Sequence, residues 1–188
     1  MNIIFRTDAS LDIGTGHVMR CLTLAQVLRD QGINCRFICR EHAGNLLDLI
    51  RECGFDAQAL PMQVVLQEKL GQQDAMGENT LAHAAWLGVD WQTDAEQTKN
   101  AIGELSADWL IVDHYALDVR WELALRPHYR MLMVIDDLAD RKHVCDVLLD
   151  QNLVEGMGAR YQDKVPSHCI CLIGPQYALL RAEFVNLR

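Results

Sequence analysis

The alternation of short apolar segments with amphipathic ones constrains the fold of this chain most strongly. Residues 2–7 form an apolar run, and after a glycine-containing loop apolar residues recur at helical spacing, at Val18, Cys21, Leu22, Ala25 and Leu28. Gly32 ends this predicted helix. A strand at 33–39, a helix at 45–53 and a strand at 55–60 follow. Because consecutive parallel strands need crossover helices, this order predicts an α/β fold, a Rossmann-like parallel sheet with helices on both faces.

The second half of the chain continues the same alternation. The segment from Thr93 to Glu96 matches a capping box and predicts the start of a helix that extends to about Leu105. A further helix is predicted at 118–125. Additional buried parallel strands are predicted at 109–113, 131–135, 147–149 and 169–173.

Two segments do not follow this alternation. Residues 61–80 are rich in glutamine and have no clear period, so they are interpreted as an excursion or a partly mobile loop. A helical pattern starts at Tyr177 and has no cap or linker before Arg188. The chain is therefore expected to be one part of a longer protein.

Composition excludes several classes of partner. The chain of 188 residues has 17 Lys+Arg against 26 Asp+Glu and a net charge of −9, and its cations form no run, which argues against nucleic acid. No signal peptide is recognisable, and no apolar run approaches the roughly 18 residues that span a membrane. Seven cysteines, most of them in apolar segments, favour reduced thiols and a cytoplasmic location.

The loop after the first strand carries the strongest signal for chemistry. Gly14 and Gly16 allow the backbone to approach a ligand closely, and a new helix begins there with free N–H groups. His17 falls in the first helical turn, where the helix dipole disfavours the imidazolium form. A neutral histidine at this place suits a general base for attack of water on a nucleotide-linked substrate. A helix-capping histidine without chemistry is the alternative.

Polar residues also follow the later strands, where ligands collect in open parallel sheets. Asp113, His114 and Tyr115 suit sugar hydroxyls or an amide, or else form a turn in which Asp113 caps the next helix. An acidic group between residues 136 and 146 suits a divalent cation or, more often, a solvated turn. The segments 150–152 and 174–175 are the remaining polar loops.

Motifs of several common enzyme classes are missing. Met19 stands where a dinucleotide-binding loop needs glycine, and no Walker loop is present. The cysteine spacings do not match zinc knuckles, and there is no Gly-x-Ser-x-Gly elbow for a serine hydrolase.

Motifs in order along the whole chain resemble the PseG family. The first is Phe5–Ser10 followed by Ile13–Leu22, and the others are His83–Val89, Ile111–Tyr115, Val134–Ala139, Leu148–Asn152 and Gly174–Arg181. Members of this family are UDP-2,4-diacetamido-2,4,6-trideoxy-β-L-altropyranose hydrolases of the pseudaminic acid pathway. The resemblance implies that this chain takes part in the same hydrolysis.

The resemblance implies a two-domain, glycosyltransferase-B-like architecture related to MurG-type glycosyltransferases. Residues 1–175 would then be the N-terminal Rossmann-like catalytic domain, and 176–188 the start of an interdomain helix. The C-terminal domain, which supplies most of the UDP site in the family, is absent from these 188 residues, so the isolated chain is expected to be inactive. No cofactor and no metal are implied. The expected partners are the UDP-linked diacetamido sugar and the C-terminal domain.

The resemblance also implies roles for individual residues. His17 matches the catalytic histidine, which activates water for attack on the anomeric carbon. Asp8 is expected to orient His17 or the loop, and Tyr115 and Asn152 are expected to contact the sugar. The full set of expected substrate-binding residues is Asp8, Gly14, Thr15, Gly16, Arg20, Tyr115, Asn152 and Arg181.

Two alternatives use the same fold. In a glycosyltransferase, the histidine would deprotonate an acceptor hydroxyl instead of water. In a binding or scaffold module, the UDP-sugar would bind without turnover. Fold alone does not decide among these functions.

Overall fold

The structure, a computed structural model, describes residues 1–62, 81–104, 106–153, 156 and 159–180. Its strands are β1 (Asn2–Thr7), β2 (Asn34–Arg40), β3 (Asp56–Leu60), β4 (Ala107–Asp113), β5 (Tyr129–Ile135), β6 (Val147–Asp150) and β7 (Ile170–Ile173). They form one sheet in the order β3-β2-β1-β4-β5-β6-β7, and every neighbouring pair is parallel. The predicted parallel α/β fold is therefore confirmed.

Helices cover both faces of the sheet. They are α1 (Gly16–Asp30), α2 (Leu47–Glu52), α3 (Trp91–Ile102) and α4 (Val119–Ala124), and short 3-10 turns occur at Ala84–Leu87, Arg126–His128 and Pro175–Tyr177. Apolar residues of α1 and α2 pack in one core cluster, and those of α3 and α4 pack in the other. The two layers follow from strand geometry, since the successive residues Ile3 and Ile4 of β1 point to opposite faces.

Capping hydrogen bonds and the conformation of a glycine determine where α3 begins and ends and where α4 begins, and the ends of α3 differ from the predicted ones. The carboxylate of Asp90 accepts a hydrogen bond from the Thr93 backbone N–H, so α3 begins at Trp91 and the expected capping box at Thr93 is wrong. The same helix ends at Ile102, because Gly103 has a φ of 78° that ends the regular helical turn. Asp118 caps α4 by accepting from the Arg120 N–H.

Two predicted segments lie largely outside the described residues. Of the glutamine-rich stretch only 61 and 62 are described. At the other end, Pro175–Tyr177 form a single 3-10 turn, and 178–180 have no regular structure. Residues 181–188, where the helical pattern was predicted to continue, are outside the described part.

The direction of strand order reverses between β1 and β4, which are neighbours in the sheet. Open parallel sheets bind ligands beyond the carboxyl ends of the strands at such a point. Several polar residues are buried here, namely Asp8, His17, Asp113 and His114. Within the described residues, no helix combines the length and the apolar character needed to cross a bilayer.

Candidate active site

A tight turn after β1 places His17 at the carboxyl edge of the sheet. The Ser10 hydroxyl accepts hydrogen bonds from the backbone N–H groups of Asp12 and Ile13, at 3.1 and 2.9 Å. The Gly14 N–H donates to the Ser10 carbonyl at 2.9 Å, and Gly14 has a φ of 79°, which favours glycine. The chain then enters α1, and His17 lies in its first turn, as the sequence predicted.

Asp113 is the partner of the His17 ring. It ends β4 opposite Thr7 of β1, and its Oδ1 lies 2.6 Å from His17 Nδ1. A carboxylate accepts hydrogen bonds, so Nδ1 carries the proton and the neutral ring has a free lone pair at Nε2. His17 is 7% exposed and Asp113 is fully buried. This pairing fixes the ring and leaves one nitrogen for a ligand.

Arg20, one turn further along α1, holds the same carboxylate. Its Nε lies 2.5 Å from Asp113 Oδ2, its Nη2 lies 2.6 Å from Asp113 Oδ1, and its Nη1 lies 3.2 Å from Asp137. Burial alone would raise the pKa of Asp113, but the contacts with Arg20 and His17 lower it. Asp113 therefore stays ionised, and the guanidinium of Arg20 is already engaged by two carboxylates.

Tyr115 lines the site with its ring. The ring centre lies 4.5 Å from that of His17, in an edge-on arrangement, and the hydroxyl donates a hydrogen bond to Asp137. Burial and then this carboxylate raise the pKa of Tyr115, so the phenol stays protonated. The expected sugar-binding residue therefore presents an aromatic surface beside the histidine.

Asp8 forms no hydrogen bond or ion pair with His17 in the structure, so of its two expected roles, orienting His17 or orienting the loop, only the second agrees with its contacts. Its Oδ1 lies 2.6 Å from Arg6 Nη1 and accepts the Arg40 backbone N–H at 2.7 Å. Its Oδ2 faces His114 Nε2 at 3.2 Å. The polar partners of Asp8 thus come from β1, from β2 and from the residue after β4, and His17 is not among them.

Asp8 belongs instead to a buried ion network with Arg6, Arg40 and Asp94. Both Arg6 Nη2 and Arg40 Nη2 lie 2.6 Å from Asp94 Oδ2, and all four side chains are fully buried. Burial opposes ionisation, yet the charge of Arg6 holds the pKa of Asp8 well below its usual range and lowers that of Asp94. The two positive and two negative charges cancel inside the protein.

The remaining expected site residues are spread along the same edge. Thr15 and Gly16 are exposed at the start of α1, and a Cβ on Gly16 would meet no atom within 4 Å. Asn152 is exposed after β6, and its backbone N–H donates to Asp150 at 3.0 Å. Arg181 lies outside the described residues.

The charged side chains between residues 136 and 146 form ion pairs with different partners and do not converge on one point. Asp136 pairs with Arg141, Asp137 with Arg20, and His143 with Glu122. No cluster of three or more metal-binding side chains occurs in the described part of the chain. The group therefore acts in turns and ion pairs there.

Sequence reasoning missed the role of Asp113 and two aromatic side chains, His83 and Trp86. The Trp86 ring centre lies 6.5 Å from that of His17, and the His83 and Trp86 centres are 4.3 Å apart. Asp113 at the end of a strand was visible in the sequence, but its contact with His17 depends on β1 and β4 being neighbours. The motif His83–Val89 belongs to the resemblance, and nothing in its local pattern predicts a position beside His17.

A known enzyme matches nearly all of this chain. The chain is 27% identical over 184 residues to the UDP-2,4-diacetamido-2,4,6-trideoxy-beta-L-altropyranose hydrolase of Campylobacter jejuni. The match covers 98% of this chain and 53% of the hydrolase, so the chain spans about half the length of that relative. No protein-family model matches the chain.

The solved structure of MurG supports the fold. MurG of Acinetobacter baumannii matches with a TM-score of 0.55 and 12% identity, covering 90% of this chain and 44% of MurG. The calicheamicin glycosyltransferase CalG4 gives a TM-score of 0.40 at 18% identity over 81% of this chain and 33% of its own, too low to support an argument. The chain thus has the MurG-like, glycosyltransferase-B type of α/β fold that the sequence predicts. The sequence match confirms the predicted resemblance to the PseG hydrolases, and its coverage, about half of the relative, is consistent with the predicted N-terminal half.

Proposed function

We propose that the protein hydrolyses UDP-2,4-diacetamido-2,4,6-trideoxy-β-L-altropyranose to UDP and the free sugar. The observation that carries this proposal is the 2.6 Å contact between His17 Nδ1 and Asp113 Oδ1, which leaves Nε2 as a proton acceptor at the switch point of the sheet. The Campylobacter jejuni relative, a hydrolase of this UDP-sugar by its name, supplies the reaction and the substrate.

In the proposed mechanism, Asp113 and Arg20 hold the imidazole in one orientation and one tautomer. His17 Nε2 accepts a proton from a water molecule as the oxygen of that water attacks the anomeric carbon. The bond from this carbon to the diphosphate oxygen breaks, and UDP departs. Its charge is spread over two phosphates, so the difficult step is the placement and deprotonation of water.

The loop before α1 is proposed to lie against the substrate. Gly14 and Gly16 are exposed, and a Cβ at either position would lie more than 4 Å from every atom of the described residues outside its own local backbone. The N–H groups of the first turn of α1, which lack helical partners, are suited to the diphosphate. Thr15 precedes this turn and makes no side-chain cap, so its hydroxyl is free for substrate.

The complete protein is proposed to have two domains. Residues 1–175 would form the N-terminal catalytic domain, and 176–188 would begin the connection to a UDP-binding domain, because the chain spans 53% of its relative. Asn152 and Arg181 are proposed as substrate contacts at the cleft between them. The isolated chain of 188 residues would then be inactive. We propose that the reaction takes place in the cytoplasm and contributes to the supply of pseudaminic acid for surface glycans.

A labelling experiment tests the proposal. The protein from the complete reading frame is incubated with the UDP-sugar in ¹⁸O-labelled water with EDTA, and ³¹P NMR and mass spectrometry follow the products. We expect UDP release with the label in the free sugar. Label in the phosphate would indicate a pyrophosphatase, and turnover only after addition of an acceptor would indicate a glycosyltransferase. Binding without cleavage would indicate a non-catalytic module.

A further inference from the structure

A short turn before α3 brings two aromatic side chains to the edge of the His17 site. The 3-10 turn at Ala84–Leu87 is anchored by Leu87, which is buried in the core. Gly88 ends the turn with a φ of 74°, and a Cβ there would lie 2.9 Å from the ring of His42. Core packing and this close approach therefore fix the turn that carries His83 and Trp86.

The rings of His83, Trp86 and Tyr115 form a compact group, called here the aromatic wall. Their centres lie 4.3 Å apart for His83 and Trp86, 5.4 Å for His83 and Tyr115, and 5.8 Å for Trp86 and Tyr115. All three side chains are partly exposed. The wall borders His17 directly, through Tyr115 at 4.5 Å and Trp86 at 6.5 Å between ring centres.

The charges around this wall disfavour an anion. Asp113 and Asp137 are two carboxylates that both bind the guanidinium of Arg20. The guanidinium of Arg141, 5.8 Å from the centre of the Tyr115 ring, pairs with Asp136 and Asp140. The hydroxyl of Tyr115 is also engaged by Asp137. The space between His17 and the wall thus offers mainly aromatic surface beside cations that are already paired with carboxylates, which suits an uncharged, weakly polar group and not a diphosphate.

We infer that His83 and Trp86 are specificity-determining residues that bind the sugar ring through its apolar groups. This inference rests on the proposed function. By its name, the sugar of the relative's substrate lacks the hydroxyls at carbons 2, 4 and 6, carries acetamido groups at 2 and 4, and has a methyl group at carbon 6. In the UDP-linked sugar, such a ring has one free hydroxyl, at carbon 3. The aromatic wall therefore suits this sugar better than a hydroxyl-rich hexose, whose hydroxyls would lose hydrogen bonds to water against the rings.

Substrate discrimination tests this inference. The ratio of kcat/KM for the trideoxy UDP-sugar to that for UDP-N-acetylglucosamine is measured in the protein from the complete reading frame. We expect Trp86→Ala to lower this ratio about tenfold or more and His83→Ala to lower it less. Trp86→Phe, which keeps an aromatic face, should retain most of it. Trp91→Ala is the matched control, since Trp91 begins α3 and packs against Arg120 instead.

A binding measurement separates this inference from the proposed hydrolysis. Saturation-transfer NMR with the free 2,4-diacetamido trideoxy sugar should show transfer from the protein that Trp86→Ala weakens and Trp91→Ala does not. Binding that depends on Trp86 without any turnover would support the wall and overturn the hydrolase. Equal binding and equal discrimination in all variants, or no binding to the unaltered protein, would overturn the wall.

Discussion

Two groups of charged residues lie beside β1. Both contain arginine and aspartate side chains, and they differ in whether a polar atom remains available to a ligand. In the buried ion network of Arg6, Asp8, Arg40 and Asp94, all four side chains are fully buried and the charges cancel. In the His17 site, two carboxylates, Asp113 and Asp137, bind the guanidinium of Arg20, and Asp137 and Arg20 are slightly exposed. Among the described residues, no carboxylate pairs with Nε2 of His17. The first group is suited to holding strands and a helix together, and the second to binding a ligand.

The two histidines beside these groups show the same difference. His114 accepts the Ala116 N–H at Nδ1 and faces Asp8 with Nε2, so both of its nitrogens are directed at the protein. His17 uses only Nδ1, toward Asp113. Burial lowers the pKa of His114, which keeps it neutral, and the residue is only 2% exposed. A histidine next to an aspartate is thus not by itself a catalytic pair.

The largest expected effect on stability comes from breaking the buried network. Asp94→Asn should lower the free energy of unfolding by about 3–5 kcal/mol, because it leaves two buried guanidinium groups with a single carboxylate. Denaturant unfolding measures this loss. Asp48→Asn is the control, since Asp48 forms an exposed pair with Arg51 and should change stability by less than about 1 kcal/mol. Equal effects of the two variants would contradict the assigned role of the network.

Breaking the second group should affect catalysis more than folding. Asp113→Asn should lower kcat by about 10²–10³-fold, because an amide can donate to Nδ1 and stabilise the tautomer in which Nε2 carries the proton. Steady-state release of UDP measures this loss. Asp118→Asn, at the cap of α4, provides a control outside the site. Unchanged turnover in Asp113→Asn would remove Asp113 from the mechanism.

Acid should act on the buried network in two stages. The pKa of His114 is lowered by burial, so stability is complete above its unfolded pKa of about 6.5 and falls as pH decreases below that value. The pKa values of Asp8 and Asp94 are lowered too, so a second loss begins below about pH 4. Unfolding midpoints between pH 8 and pH 3 measure both stages. Greater stability at pH 5 than at pH 8 would contradict the predicted loss of stability with decreasing pH.

The smallest expected effect is that of a methyl group added at Gly16, and it distinguishes a requirement of ligand binding from a requirement of folding. Gly16→Ala should change the free energy of unfolding by no more than about 0.5 kcal/mol, because a Cβ meets nothing within 4 Å and φ is not positive. The same methyl group should lower kcat/KM about tenfold by obstructing the substrate. Gly14→Ala, at a φ of 79°, should lower stability as well. Full activity of Gly16→Ala would show that no ligand occupies this space.

Local patterns predicted some of these features and not others. The bounds of β1 and the position of His17 in the first turn of α1 follow from apolar spacing and glycine placement, which are local properties. The pair of His17 and Asp113 spans 96 positions, and it forms only because the chain inserts β4 beside β1. The resemblance assigns Asp8 to orienting His17 or the loop, but in the structure its hydrogen bonds go to Arg6 and to the Arg40 backbone.

The most direct test of the central claim is the rate of UDP release by His17→Ala in the complete protein, measured together with its thermal unfolding. The account predicts that turnover falls by about 10²–10⁴-fold while the unfolding midpoint stays close to that of the unaltered protein. Turnover near normal would show that His17 is not the base that activates water.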